Sequence, residues 1–256
     1  MAKLALRLSY LGTAYHGWQR QKNGITVQES IETAIEKTCG VHVPLSGCGR
    51  TDAGVHARVY VASCALDTGI PLDRLPAALN ARLPRDIVIE RAVRVEEEFD
   101  ARFSCLRKEY TYEIHNSRTR NPFLNDRAYF YPQHLDEAAM ARAARHFVGR
   151  QDFAAVRSEG TPVKSTVREI FYCETARAGN SVSVRVCADG FLYNMVRAIT
   201  GTLIYCGIGK IAPGDIPDIL RARDRERAGP TAPPEGLYLT SLTYGMEELD
   251  GFAKEE

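Results

Sequence analysis

One carboxylate in this chain lies in a setting typical of a functional loop. Asp52 stands in "GCGRTDAGVHA", residues 47–57, among small residues and with Arg50 and Arg58 on either side. Glycines allow unusual backbone angles and a close approach by other groups, so the stretch predicts a loop that presents Asp52. A carboxylate held in this way can act as a nucleophile or as a base. The spacing alone is equally compatible with a surface turn that carries a solvated charge pair.

Two tyrosines and a further arginine could serve the same site. Tyr110 and Tyr112 share one face of "KEYTYEI", a spacing more typical of a strand core than of a catalytic pair. Arg197 lies in "FLYNMVRAITG" beside an apolar helical stripe, and Gly201 is expected to leave that face open to a close approach. A guanidinium in such a place needs a carboxylate or phosphate partner, for which Asp52 is the candidate. The later stretch "GPTAPPEGLYL" predicts a turn and a strand that could line a cleft or simply connect elements.

Metal-dependent and nucleotide-dependent chemistries lack their sequence motifs. The chain has no G-x-x-x-x-G-K-[ST], G-x-S-x-G or H-E-x-x-H motif, and its six histidines are dispersed. Its seven cysteines are scattered without a C-x-x-C pair, which predicts reduced thiols and no zinc site. We therefore expect neither a metal nor a cofactor.

The bulk composition is that of an ordinary globular protein. A chain of 256 residues with 45% apolar composition can form one large or two medium domains. The N-terminal stretch "MAKLALRLSYLG" is too interrupted by polar residues for a signal peptide or a membrane span, so a cytoplasmic location is expected. The net charge of +1 does not itself indicate a nucleic-acid partner, but arginines through the middle of the chain could form a basic face.

Hydrophobic periodicity predicts a β-α-β-α-β order in the first half. "KLALRLSY" alternates as a half-buried strand does, and "TVQESIETAIEKTCG" has helical spacing, with Thr26 and Glu29 as a capping box and Gly40 after its end. "RVYVASCAL" and "DIVIERAVRV" predict strands on either side of a short helix in "LDRLPAALNARL".

The second half predicts a similar order of elements. "KEYTYEI" and "SVSVRVCA" are expected to be strands, "LDEAAMARAARHFVG" and "FLYNMVRAITGTLIYCGIG" helices, and residues 116–130 and 226–236 loops. The fold class is therefore α+β, with two similar lobes, residues 1–105 and 106–256. We expect their antiparallel or mixed sheets to join edge to edge around a central cleft, where sites tend to lie.

Four of these stretches resemble one known family. "GRTDAGVHA", "KEYTYEI" and "FLYNMVRAITG" are similar to the three signature blocks of the tRNA pseudouridine synthase A family, and "GPTAPPEGLYL" resembles its C-terminal block. The resemblance runs in order from "LRLSYLGTAYHGWQRQ" to "GLYLTSLTY", nearly the whole chain, and the nine-residue match is highly specific. One departure is Asp100 in "EFDARFSC", where the family pattern leads us to expect histidine.

The resemblance implies a fold, an activity and roles for named residues. It implies a pseudouridine synthase-like fold, a homodimer, and isomerisation of uridine to pseudouridine at positions 38, 39 and 40 in the anticodon stem-loop of tRNA. Asp52 would be the catalytic acid, Tyr110 the active-site tyrosine and Arg197 the partner of Asp52. Arg50 and Arg58 are expected to contact the RNA backbone or the flipped-out base. The carboxylate could attack C1′, add to C6 or remove a sugar proton, and the sequence leaves all three open.

Two other classes of function are considered as alternatives. A non-catalytic RNA-binding module would use the tyrosine face to stack bases, but the chain lacks the K/R-G-F/Y-G/A-F-V-x-F/Y block and such a module gives the central acid no role. A phosphate-ester hydrolase would use Asp52 as nucleophile and would want metal-binding acids nearby, which the sequence does not offer.

Overall fold

The computed structural model describes residues 2–160 and 163–252 of the chain. This part divides into two compact units. The first takes the residues up to Leu106 together with those from Leu239 onward, and the second is Arg107–Tyr238. Both contain α-helices and β-strands. In the described part, no helix is long and apolar enough to cross a membrane.

The described part contains strands with α-helices between them. The strands are β1 (Lys3–Tyr10), β2 (Ser46–Gly47), β3 (His56–Ala65), β4 (Ile87–Arg94), β5 (Arg107–Asn116), β6 (Tyr129–Tyr131), β7 (Gly149–Asp152), β8 (Val167–Ala178), β9 (Ser181–Ala188), β10 (Leu237–Thr243) and β11 (Gly251–Phe252). The helices are α1 (Val27–Cys39), α2 (Leu75–Asn80), α3 (Glu137–Ala144), α4 (Met195–Gly207) and α5 (Ile216–Ala222).

Strand β1 lies at the centre of the first unit. It pairs antiparallel with β3 on one side and with β4 on the other, and β2 adds to β3. The alternation of "KLALRLSY" places Leu4, Leu6 and Leu8 on one face, and all three are buried. Arg7 points to the other face, where its Nε donates to Glu90 at 3.2 Å and its Nη1 to the carbonyl of Asp250 at 2.9 Å. The predicted β-α-β-α-β order is confirmed, with β2 as an addition.

Helix α1 begins and ends where its capping residues predict. The hydroxyl of Thr26 accepts a hydrogen bond from the backbone N–H of Glu29 at 3.3 Å, and Gly40 takes the left-handed conformation with φ +73°. The apolar face carrying Val27 and Ile31 is buried. Helix α2 is shorter than expected: it begins at Leu75, with Pro76 in its first turn, and ends at Asn80, whose side-chain amide is bound to the backbone of β4.

The second unit is built on β5, β9, β8 and β7, which pair antiparallel in that order, while β6 adds parallel to β5. The fold class α+β is confirmed, with a mixed set of strands. Strand β8 was not expected from the sequence. A register shift between Ile170 and Tyr172 interrupts its alternation, so its pattern lacks the period of two that marks a strand.

The two predicted helices of this unit are present but shorter. The Asp136 carboxylate accepts from the N–H of Ala139 at 3.0 Å and starts α3, which gives way to a 3₁₀ turn at Arg145–Phe147. Helix α4 begins only at Met195, because Asn194 has a left-handed backbone. Its buried face forms much of the core of this unit.

Candidate active site

The loop that carries Asp52 begins on a pair of stacked aromatic rings. The rings of Trp18 and Tyr60 lie 4.0 Å apart, and a Cβ at Gly47 would come within 2.5 Å of either side chain. The Tyr60 hydroxyl donates to the carbonyl of Gly49. Gly47 is therefore required because the backbone lies directly on these rings.

The residues on both sides of Asp52 are held by hydrogen bonds. Buried Thr51 pairs its hydroxyl with that of Tyr10 at 2.8 Å and accepts from the N–H of Trp18 at 3.2 Å. The carbonyl of Asp52 accepts from the N–H of Val55 at 3.1 Å, which closes a turn. Gly54 is the third residue of that turn, with φ +79°. Asp52 is thus partly exposed on a backbone that is fixed on either side.

The segment before α1 packs tightly against this loop. A Cβ at Gly17, whose φ is +84°, would lie 2.4 Å from the carbonyl oxygen of Thr51. A Cβ at Gly12 would lie 2.0 Å from the carbonyl oxygen of Val55, and the Gly12 N–H donates to Nδ1 of buried His56 at 2.9 Å. The close approach that the glycines permit is therefore made, at these places, by the chain itself.

Arg50 and Arg58 lie on the same unit as Asp52, and both are exposed. Arg58 is on β3 and Arg50 is in the loop between β2 and β3. Exposed guanidinium groups near a fixed carboxylate suit contacts with phosphate or with the edge of a base. Their role in binding stays a prediction.

Asp100, the departure from the family pattern, fixes a turn of the first unit. Its Oδ1 accepts from the N–H groups of Arg102 and Phe103 at 2.8 and 3.0 Å, and its Oδ2 accepts from the hydroxyl of Ser46 at 2.9 Å. Burial acts to raise the pKa of Asp100, but these hydrogen bonds outweigh it and the pKa lies below its ordinary value. An ionised carboxylate thus ties this turn to β2.

Tyr110 and Tyr112 occupy one face of β5 as predicted, with different surroundings. The ring of Tyr110 is 8% exposed and lies edge to face with Phe191, with ring centroids 5.2 Å apart. Tyr112 is fully buried, its hydroxyl donates to the carbonyl of Pro233 at 2.7 Å, and burial raises its pKa. Tyr112 is therefore a core residue that anchors the segment after Gly229.

The opposite face of β5 carries a buried carboxylate that the sequence analysis did not single out. Glu109 accepts from Nη2 of Arg185 at 2.9 Å and from the hydroxyl of Tyr172. The hydrogen bond to Glu109 raises the pKa of Arg185. The pKa of Tyr172 is raised mainly by burial, and also by its hydrogen bond to Glu109. The cluster ties β5 to β9 and β8 directly behind Tyr110. The only sign of this cluster in the sequence is an acidic residue at an inward-facing position of a strand.

The Arg197 guanidinium is held by two contacts within the second unit. Its Nε donates to the carbonyl of Ala232 at 2.7 Å and its Nη1 donates to Oδ1 of Asn194 at 2.8 Å. The backbone of Arg197 also accepts from the N–H of Ala232 at 3.1 Å. The Pro/Gly-rich stretch predicted to be a turn is thus bound to the first turn of α4.

The close approach expected at Gly201 is made by the backbone of the chain itself. A Cβ there would lie 1.6 Å from the carbonyl oxygen of Pro230, and one at Gly229 would lie 2.4 Å from the carbonyl oxygen of Gly201. The Gly229 N–H donates to the hydroxyl of Thr202 at 3.0 Å. The space beside the helix is filled by the chain's own segment, which approaches closely because both residues lack a side chain.

The predicted site residues are divided between the two units. Asp52, Arg50 and Arg58 belong to the first unit, and Tyr110 and Arg197 belong to the second. The pairing of Asp52 with Arg197 stays a prediction. In the part of the chain that the structure describes, no three His, Cys, Asp or Glu side chains are grouped as metal ligands would be.

Comparison with known proteins gives one consistent result. A family model described as tRNA pseudouridine synthase matches residues 8–104 and 143–245. The tRNA pseudouridine synthase A of Ruminiclostridium cellulolyticum is 46% identical over 95% of this chain and all of its own length. The proteins of the same name from Acetivibrio thermocellus and Geotalea daltonii are 47% and 43% identical over the same share of this chain and all of theirs.

One solved structure is also similar. It is described as "Crystal Structure of a Cbf5-Nop10-Gar1 Complex", with 14% identity and a TM-score of 0.37, covering 78% of this chain and 44% of that chain.

Proposed function

This chain belongs to the tRNA pseudouridine synthase family, and from that premise we propose that it converts uridine to pseudouridine at positions 38, 39 and 40 of the tRNA anticodon stem-loop. The protein is an isomerase whose substrate is tRNA. The observation that carries the proposed mechanism is the loop at Asp52, where a partly exposed carboxylate stands on a backbone fixed at Thr51 and Val55. A catalytic group needs such a fixed position.

The reaction requires one bond to break and another to form on the same nucleotide. The C1′–N1 bond of uridine is broken, the base turns, and C5 bonds to C1′. The proton at C5 leaves, and N1 gains one from the solvent. Because the target base is stacked in an RNA helix, it must first be flipped out. Asp52 in its ionised form attacks C1′, adds to C6 or removes a sugar proton, and the three routes share the need for a positioned carboxylate.

In this proposal Tyr110 acts on the uridine and Arg197 acts on Asp52. The phenol of Tyr110 stacks on the uracil ring and relays the proton at C5, two roles that an aromatic ring with a hydroxyl can combine. Arg197 binds Asp52 through its planar guanidinium, which favours the ionised carboxylate and fixes its orientation. The two contacts that hold Arg197 within its own unit support this role, because they set the plane of the guanidinium.

The wider setting follows from the same family. We propose a cytoplasmic enzyme that works as a homodimer, and the edge-to-edge arrangement of two lobes around a cleft stays a prediction. Family membership favours catalysis over a non-catalytic RNA-binding module, and over a phosphate-ester hydrolase as well.

Tritium release tests the proposed reaction and its positions. Transcripts of one tRNA, labelled with tritium at C5 of uridine, are incubated with the purified protein, and released tritium is measured over time. Matched transcripts carry cytidine in place of uridine at position 38, 39 or 40, singly and together. We expect release from the parent transcript and none from the triple replacement. Release that survives the triple replacement would contradict the assignment of positions, and an absence of release from any tRNA would contradict the reaction.

A second experiment tests the role of Arg197. Arg197→Lys keeps the charge but loses the planar fork, so a charge-assisted hydrogen bond of about 1.5 to 3 kcal/mol is lost. We expect the single-turnover rate to fall by roughly 10-fold to 100-fold, with a much smaller change in tRNA affinity. A wild-type rate in this variant would show that Arg197 does not orient the catalytic carboxylate.

A further inference from the structure

Asn194, the residue before helix α4, has an unusual backbone conformation. Its φ is +59° and its ψ is +10°, in the left-handed region, whereas a residue at this position ordinarily has an extended backbone. Glycine adopts that conformation without cost, and asparagine is one of the few other residues that adopt it as single residues. The sequence thus has an asparagine at a position where glycine would suit the backbone better.

The side chain of Asn194 also does not cap the helix, as a side chain at this position usually does. It makes no capping hydrogen bond to the N–H groups of the first turn of α4. Its Oδ1 instead accepts from Nη1 of Arg197 at 2.8 Å, and its Nδ2 donates to Oγ of Ser158 at 2.9 Å. Since a guanidinium only donates hydrogen bonds, the amide must turn its oxygen to Arg197 and its nitrogen to Ser158.

These contacts form a chain that ends on a residue with a proposed catalytic role. Ser158 is itself held, because its N–H donates to the carbonyl of Tyr193 at 3.0 Å. The Asn194 amide is therefore fixed from both ends. Together with the carbonyl of Ala232 on Nε, it holds the guanidinium of Arg197 at two of its nitrogens, which defines the plane of the group.

We propose that Asn194 is a positioning residue, oriented by Ser158, whose amide oxygen fixes the guanidinium plane of Arg197 for the reaction. This inference rests on the proposed role of Arg197. The left-handed backbone brings the amide between Ser158 and Arg197, and the side chain is therefore not used as a helix cap. The account predicts that loss of the side chain changes the rate of the chemical step far more than it changes folding.

The test uses Asn194→Gly, which suits the backbone and removes only the side chain. We expect its single-turnover rate on a tRNA transcript to fall about 10-fold, because Arg197 loses one of the contacts that fix its guanidinium, while tRNA affinity and Tm stay close to those of the parent. Asp126 has a similar left-handed backbone, with φ +56°, in the segment between β5 and β6. Asp126→Gly is therefore the matched control, and it should keep the parental rate.

Two further variants separate positioning from a general structural role. Asn194→Asp keeps an oxygen toward Arg197 and another toward the Ser158 hydroxyl, so we expect its rate to stay within about threefold of the parent. In the Arg197→Lys background, Asn194→Gly should lower the rate by less than about twofold, because the group that it positions is already changed.

The outcomes distinguish failure of this inference from failure of the proposed function. A parental rate for Asn194→Gly, with Arg197→Lys slow, overturns the positioning role and leaves the role of Arg197 intact. Independent, multiplying losses in the double variant likewise overturn it, because they show that Asn194 acts through something other than Arg197. If Arg197→Lys itself has the parental rate, the proposed role of Arg197 fails, and the positioning role of Asn194 fails with it.

Discussion

Gly17→Ala should impair catalysis although residue 17 is far from Asp52 in the sequence. In the structure the missing Cβ of Gly17 points at the backbone of the catalytic loop. Added there, it would lie 2.4 Å from the carbonyl oxygen of Thr51 and 3.1 Å from the carbonyl carbon of Asp52. Ordinary contacts of a Cβ are 3.4–4 Å, so the two segments must separate by about 1 Å to accommodate it.

This contact should affect both the stability of the fold and the rate of the reaction. The first is on stability: φ is +84°, and an alanine in the left-handed region costs about 1 kcal/mol, to which the displacement adds roughly 1 to 3 kcal/mol. The second is on rate, because a displacement of about 1 Å at a catalytic group can cost on the order of 100-fold. The hydrogen bond from the N–H of Trp18 to Thr51, 3.2 Å long, would be strained at the same time.

Gly40→Ala is the matched control for Gly17→Ala. Gly40 has φ +73° at the end of α1, and nothing lies within 4 Å of where its Cβ would be. It shares the backbone cost of about 1 kcal/mol without the contact. We expect Gly40→Ala to lower the free energy of unfolding by that amount and to keep the parental single-turnover rate. Equal rates for the two variants, measured well below their Tm, would refute the claim that the Gly17 contact holds the catalytic loop in place.

Three further predictions concern metal, salt and pH. Protein treated with EDTA should isomerise tRNA at the parental rate once Mg²⁺ is restored for folding of the RNA, and a requirement for one transition metal would contradict this. Binding of tRNA should weaken steeply as salt rises, with a log–log slope that corresponds to several phosphate contacts, and a flat response would argue against an arginine face. Asp100→Ala should lower the free energy of unfolding by about 1 kcal/mol at pH 7. Because folding lowers the pKa of Asp100, its contribution is complete above the unfolded-state pKa near 4 and is lost as pH falls through the lower folded-state pKa, so the difference between variant and parent should shrink in acid. A difference that does not shrink as the pH falls below 4 would contradict the role of the ionised carboxylate.

Local features of the fold could be predicted wherever the signal is contained in one segment. The cap at Thr26, the left-handed Gly40 and the buried leucines of β1 all depend on neighbours within a few residues, and all are confirmed. Strand β8 was missed because its register shift removes the regular alternation. Alternation of apolar and polar residues identifies a regular strand, and a bulge interrupts that alternation.

The sequence proposes residue types for the candidate site, but it does not predict the contacts that hold these residues in place. A glycine in a motif indicates that another group approaches the backbone closely. The sequence does not identify that group. Gly201 is an example. The backbone of Pro230 makes the close approach that this glycine permits. Pro230 is distant in the sequence, and no sequence pattern links it to α4. Gly17 and Asn194 were not singled out for the same reason. Their importance lies in contacts with Thr51, Ser158 and Arg197, and only the folded chain brings these residues together.

The central claim is that Asp52 carries the reaction, and Asp52→Asn tests it most directly. The substitution keeps the size of the side chain and removes its charge, and the hydrogen bonds that fix the loop come from the backbone of Asp52 and from Thr51. Asp52→Ala, prepared alongside, excludes any activity that arises from deamidation of the new asparagine. Tritium release from tRNA labelled at C5 is measured together with tRNA affinity and Tm. The account predicts that both variants fold and bind tRNA nearly as the parent does and release no tritium above background. Substantial turnover by both variants would contradict it.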